Sequence, residues 1–213
     1  MKKSAVLSVL ILGLLGALVA APALAGTVLY SNPGPLSYTD DAYGIDGGQA
    51  ISDSFTLSQN STVTGANFAA WLNSEDTMTH VDWAISSDPF SGYLATGPGA
   101  SVSGVYLTSA FQYDVDQESI SIPSLSLAAG TYWFELGNAV TAQGGFDAYW
   151  DWSGGPSSVG VSSNGTYEGL ISPSETFQIL GDTGPVVPEP SSFLLLGSGL
   201  AGLAGLLKRK LRA

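Results

Sequence analysis

No Lys or Arg stands between residues 4 and 207 of this 213-residue chain. The six cations are Lys2, Lys3, Lys208, Arg209, Lys210 and Arg212, while all 18 acids lie between Asp40 and Glu189. A body folded from that middle stretch has a single His, His80, as its only cationic candidate. Its carboxylates repel one another, most strongly at low ionic strength. A net charge of −12 also excludes nucleic acid as a partner, because phosphates are held by Lys and Arg. The chain therefore reads as three pieces: a basic and apolar head, an acidic middle without cations, and an apolar tail closed by basic residues.

The head, residues 1–25, reads as a secretory signal peptide. Lys2 and Lys3 form the positive region, residues 6–19 are apolar, and Ala23-Leu24-Ala25 is a small-x-small cleavage site. Cleavage after Ala25 makes Gly26 the first mature residue. Signal peptidase and the secretion machinery are then the first partners. A retained N-terminal anchor is the alternative, and the placing of Ala23 and Ala25 favours cleavage.

The tail is built in the reverse order. Pro188-Glu189-Pro190 is stiff and extended, because Pro fixes its own φ and biases its predecessor away from the helical region. Ser191 and Ser192 can cap a helix. Residues 193–207 are an unbroken apolar run, about 22 Å long as a helix at ~1.5 Å per residue. That is short for the ~30 Å hydrocarbon layer, so a span leans on its flanks. Lys208, Arg209, Lys210 and Arg212 act as a stop-transfer cluster that holds the C-terminus in the cytoplasm.

A Pro-Glu-Pro motif, a short apolar helix and a terminal basic cluster, in this order over residues 187–212, resemble the PEP-CTERM sorting domain. The resemblance implies an exported protein of a Gram-negative bacterium. It would be held transiently in the inner membrane by its tail and then processed by an exosortase. Pro188, Glu189 and Pro190 would be the recognition motif, and the chain the substrate of that enzyme. The resemblance further implies a destination at the cell surface or in an exopolysaccharide matrix.

Between the two addresses lie short alternating runs. Val81, Trp83 and Ile85 alternate with Asp82, Ala84 and Ser86; Phe111, Tyr113 and Val115 alternate with Gln112, Asp114 and Asp116. Alternation of this kind puts one strand face on a core and the other in water. Further strands are predicted over 27–30, 51–57, 62–72, 131–136, 148–152, 158–161, 166–171 and 176–180. Turn signals separate them, among them Asp46-Gly47-Gly48, Gly97-Pro98-Gly99 and Asn164-Gly165. The expected fold is all-β, an antiparallel β-sandwich of jelly-roll type, flanked by an N-terminal signal helix and a C-terminal transmembrane sorting helix. The predicted boundaries are 1–25 signal peptide, 26–180 sandwich, 181–187 linker and 188–213 sorting signal.

Two constellations in the sandwich are candidates for binding. Asp114, Asp116 and Glu118 alternate along one strand and share a face, and Asp40, Asp41 and Asp46 crowd a loop. Ca2+, which takes six to eight oxygens, is the cofactor such clusters would hold; acids that only keep an exported protein soluble, with no cofactor, are the alternative. Tyr149, Trp150 and Trp152 crowd one short strand, and Trp133 lies on the strand before. Aromatic faces beside carboxylates suit sugar rings, and exopolysaccharide is the partner they would contact. Alternation puts Trp150 and Trp152 on one face and Tyr149 and Asp151 on the other, and one of these faces must be core. No G-x-S-x-G elbow accompanies His80, and Cys is absent, so no nucleophile is assembled in the sequence.

The expectation is a non-enzymatic surface or exopolysaccharide-matrix protein. A carbohydrate-binding module using an aromatic strip is one alternative. A periplasmic domain kept at the inner membrane by an uncleaved tail is the other.

Overall fold

The computed structural model describes residues 26–32, 41–155, 157–171 and 174–184. The signal helix, the sorting helix, Pro188-Glu189-Pro190 and Asp40 lie outside these residues. Every regular element among them is a strand: β1 (Thr27–Asn32), β2 (Ala42–Gly44), β3 (Gln49–Leu57), β4 (Ser61–Asn73), β5 (Met78–Asp88), β6 (Ser91–Ser101), β7 (Ser103–Ala110), β8 (Tyr113–Leu127), β9 (Gly130–Thr141), β10 (Tyr149–Ser153), β11 (Val159–Ser163), β12 (Thr166–Ile171), β13 (Ser174–Glu175) and β14 (Phe177–Thr183).

They form two antiparallel sheets packed as a sandwich. The first sheet runs β1-β14-β4-β8-β7, with β10 following β14 along the same edge of β4 and β2 and β13 paired to β10. The second runs β12-β11-β3-β9-β5-β6. The chain crosses between sheets at most connections, so strands adjacent in sequence face each other across the core. β14 reaches Thr183, three residues into the segment expected to be linker.

The predicted alternation accounts for the core. From the first sheet, Val63, Phe68, Leu72, Ile120, Trp150, Phe177 and Ile179 point inward; from the second, Ile51, Phe55, Val81, Ile85, Phe134 and Leu136 meet them. Aromatic rings join the layers. Trp150 on β10 lies 5.7 Å from Phe134 on β9 and 5.6 Å from Phe177 on β14, edge to face in both cases. Such pairs add to the area that the rings bury. The indole Nε1 of Trp150 donates to the Thr176 carbonyl at 2.9 Å, so the ring is buried without an unmet donor.

Turn chemistry shapes the connections. Asn164 and Gly165 both take positive φ, 52° and 78°, as a two-residue hairpin turn between β11 and β12 requires. Two expectations are not met. Gly97-Pro98-Gly99 lies inside β6, on the edge of the second sheet, where a Pro lacking a donor is tolerated. Phe111 leaves the alternating pattern: it sits in the turn between β7 and β8 at φ 55° and is exposed. His80 lies within β5.

Candidate functional site

On the first sheet's outer face, β4 turns a second set of apolar residues outward. Phe68, Ala70 and Leu72 face the core, whereas Ala69 and Trp71 face away and pack with Val115. The register sets Trp71 opposite Val115 on β8 and Tyr149 on β10. The Trp71 ring centroid is 6.0 Å from both Phe111 and Tyr113, and Tyr113 is 5.5 Å from Tyr149. Four rings thus form a strip, and Phe111 is its most exposed member at 81%.

Polar groups fix and extend this strip. Trp71 Nε1 donates to Asp151 Oδ1 at 2.6 Å, and Thr176 Oγ1 donates to Asp151 Oδ2 at 2.8 Å. At one end of the strip is a cleft of about 280 Å3, lined by Gly44, Asp46, Gln49, Phe146 and Tyr149. Ala148 N donates to Asp46 Oδ2 at 2.8 Å, which orients that carboxylate. Burial, then Tyr113 and the charges of Asp147 and Asp46, push the Tyr149 hydroxyl up to about 12, so it remains a hydrogen-bond donor over the physiological range.

The four aromatic residues predicted to touch sugar part company here. Tyr149 belongs to the strip. Trp150 is a correction: it is fully buried, because its face of β10 is the one turned to Phe68, Phe134 and Phe177. Trp152 is half-buried against Tyr43, with ring centroids 4.8 Å apart. Trp133 is half-buried on the outer face of the second sheet, opposite Ser54 and Ser86. Trp71, Phe111 and Tyr113 were not singled out by the sequence.

The predicted calcium residues are placed differently. Asp114, Asp116 and Glu118 do share a face of β8, opposite Leu72, Ala70 and Phe68. That face is the inner one, not a solvent face. Asp114, at its outer end, accepts from Ser74 Oγ, Glu75 N and Ser109 Oγ at 3.0–3.1 Å. Asp41 accepts from Ala42 N, while Asp46 serves the cleft. Among the described residues no three His, Asp or Glu side chains stand together as a metal-holding group.

The burial of the acids that matter most to the fold was not read from the sequence. Asp53, Glu118, Asp151 and Glu175 are buried. Ser54 N, Ser174 Oγ and Glu175 N donate to Asp53 at 2.6–2.7 Å, yet burial still raises its carboxyl to about 6. Glu118 rises to about 7 through burial and the nearby charge of Asp116. Glu175 rises well above the ordinary range through burial and then the charges of Asp53, Asp151 and Asp41; neither of its carboxylate oxygens has a hydrogen-bond partner.

The described residues thus define an antiparallel β-sandwich body, followed in sequence by a tail that lies outside the described residues. Residues 186–210 of that tail match the family model of the PEP-CTERM protein-sorting motif. The chain carries the sorting signal of an exported protein directed by an exosortase to the envelope of a Gram-negative bacterium. No curated protein matches the chain.

Proposed function

We propose that the sorted chain is a non-enzymatic protein of the cell surface or the exopolysaccharide matrix, with a jelly-roll body. The sorting motif at 186–210 carries this reading. The strand orders β1-β14-β4-β8 and β3-β9-β5-β6 support the jelly roll, since two Greek keys wound into two four-stranded sheets give this arrangement. A cation-free acidic surface keeps copies apart in solution and suits a secreted protein. The intact mass of the native protein, taken separately from membranes and culture medium, tests the reading. A released form that starts at Gly26 and ends near Pro188–Pro190 is expected. A form found only in membranes and still carrying residues 193–213 makes the tail a plain anchor and the protein periplasmic.

One observation favours a second reading, carbohydrate binding. The rings of Phe111, Tyr113 and Tyr149, with the buried Trp71 beneath them, border a cleft with a carboxylate and an amide, the combination that stacks and hydrogen-bonds sugar rings. Alanine at the exposed Phe111 is expected to weaken retention on the host's own exopolysaccharide in affinity electrophoresis while leaving the melting temperature unchanged. Unaltered retention removes the strip from the binding surface.

A further inference from the structure

The second sheet has a groove of its own on its outer face, of about 360 Å3, between β6 and β9. Small residues cut its floor: Ala50, Ala84 and Gly137. Gly137 cannot be enlarged without filling it, because a Cβ there would stand 2.9 Å from Ala50 Cβ. Tyr93, 51% exposed, forms one wall. Asp82 and Asn138 form the other end, held in place by bonds from Asn138 Nδ2 to Asp82 Oδ2 at 2.8 Å and from Gly99 N to Asp82 Oδ1 at 2.6 Å.

Glu135 lines this groove, with the Tyr93 hydroxyl bonded to its carboxylate. Its Oε2 is buried and has no hydrogen-bond partner. Directly opposite Glu135 in the β3–β9 ladder is Ser52, fully buried, whose Oγ also has none. Both atoms are closed off from solvent, so what the groove itself presents to a ligand is the exposed ring of Tyr93 and the polar groups of Asp82 and Asn138, with the Glu135 carboxylate beside them.

We propose that this groove binds a neutral saccharide, with Tyr93 against the sugar ring and Glu135 taking its hydroxyls. The inference rests on the carbohydrate reading but assigns it to the opposite face of the sandwich. The chemistry of the lining selects the ligand class. An apolar ligand would strand Glu135 and Asp82 without water or partner. A uronate or sulfated sugar would bring a third negative charge to a site with two carboxylates, in a segment of chain that has no Lys or Arg. A neutral ring supplies O–H donors for Glu135 and a face for Tyr93.

The test uses the full chain in detergent on an array of neutral and uronic-acid oligosaccharides. Neutral oligosaccharides are expected to be retained and uronates not. Tyr93→Ala and Glu135→Gln should each weaken retention by about tenfold, the scale of one good contact. Equal retention of uronates overturns the proposal, as does neutral binding that neither substitution changes. Neutral binding lost with Phe111→Ala but kept with Tyr93→Ala also overturns it, while leaving the carbohydrate reading in force on the first sheet. Retention of no saccharide at all removes both.

Discussion

Alanines at Pro188, Glu189 and Pro190 will leave the chain in the inner membrane. Two prolines just ahead of the apolar run 193–207 favour an extended backbone, since Pro fixes its own φ and biases its predecessor away from the helical region, and Glu189 is the only charge in the tail before the basic cluster. Three alanines keep the apolar run and its stop-transfer cations, so insertion persists. They remove both the charge and the bias against helix, and put the strongest helix former in its place. Fractionation of cells expressing the variant should find the full-length tail in membranes and nothing in the medium. Release equal to the wild type would mean that the match at 186–210 is not the signal by which this chain is sorted. Glu189→Gln separates the two elements, since it removes the charge and keeps both prolines.

The second large effect is on stability, and it runs against the usual pattern of acid denaturation. Asp53 at about 6 and Glu118 at about 7 bind their protons more tightly when folded than when unfolded. A raised carboxyl favours the fold fully below its unfolded value, near 4, and that advantage is lost as pH rises through the folded value. At about 1.4 kcal/mol per unit, each of the two costs the fold about 3 kcal/mol at pH 8. Glu175 acts in the same direction. Asp114 acts in the opposite one, because hydrogen bonds, first from Glu75 N, lower its carboxyl, but that stability is lost only as pH falls below about 4. The melting temperature should therefore be higher at pH 5 than at pH 8, by on the order of 10 °C for a domain of this size. Glu118→Gln should raise the pH 8 value and flatten the profile. A melting temperature that climbs from pH 5 to pH 8 would rule this account out.

Much of this molecule could be read from its residues, and the gaps have physical causes. Alternation located the strands around Val81–Ile85 and Thr131–Leu136, and Asn164-Gly165 located a hairpin. Alternation does not say which face is core. Trp150 and Tyr149 are equivalent by pattern, and only the rings of Phe134 and Phe177 arriving from other strands decide between them. The same ambiguity hid Trp71, because residues 68–72 are apolar on both faces. The burial of Glu118 was hidden for the converse reason. A run of acids reads as a solvent face, yet here it turns inward, beside Gly104 on β7, where a Cβ would meet its carboxylate at 2.8 Å. The edge strands β6 and β7 carry no charge between residues 89 and 113 and contain Gly-Pro-Gly, so they resemble a loop in composition. The sorting motif was fully legible, since a linear address depends on order and not on folding.

The position of β14 sets a clock on the protein's maturation. This last strand is not at the rim of its sheet; it fills the gap between β1 and β4, and β1 has no other partner among the described pairings. β1 must therefore wait for nearly the last strand of the body before it finds its neighbour. Contacts so distant in sequence close slowly. Phe177, which closes the core from β14, stands only nine residues ahead of the matched sorting motif. The body cannot complete its sheet until the chain is present almost to the sorting motif, which makes folding a late event in the making of the chain.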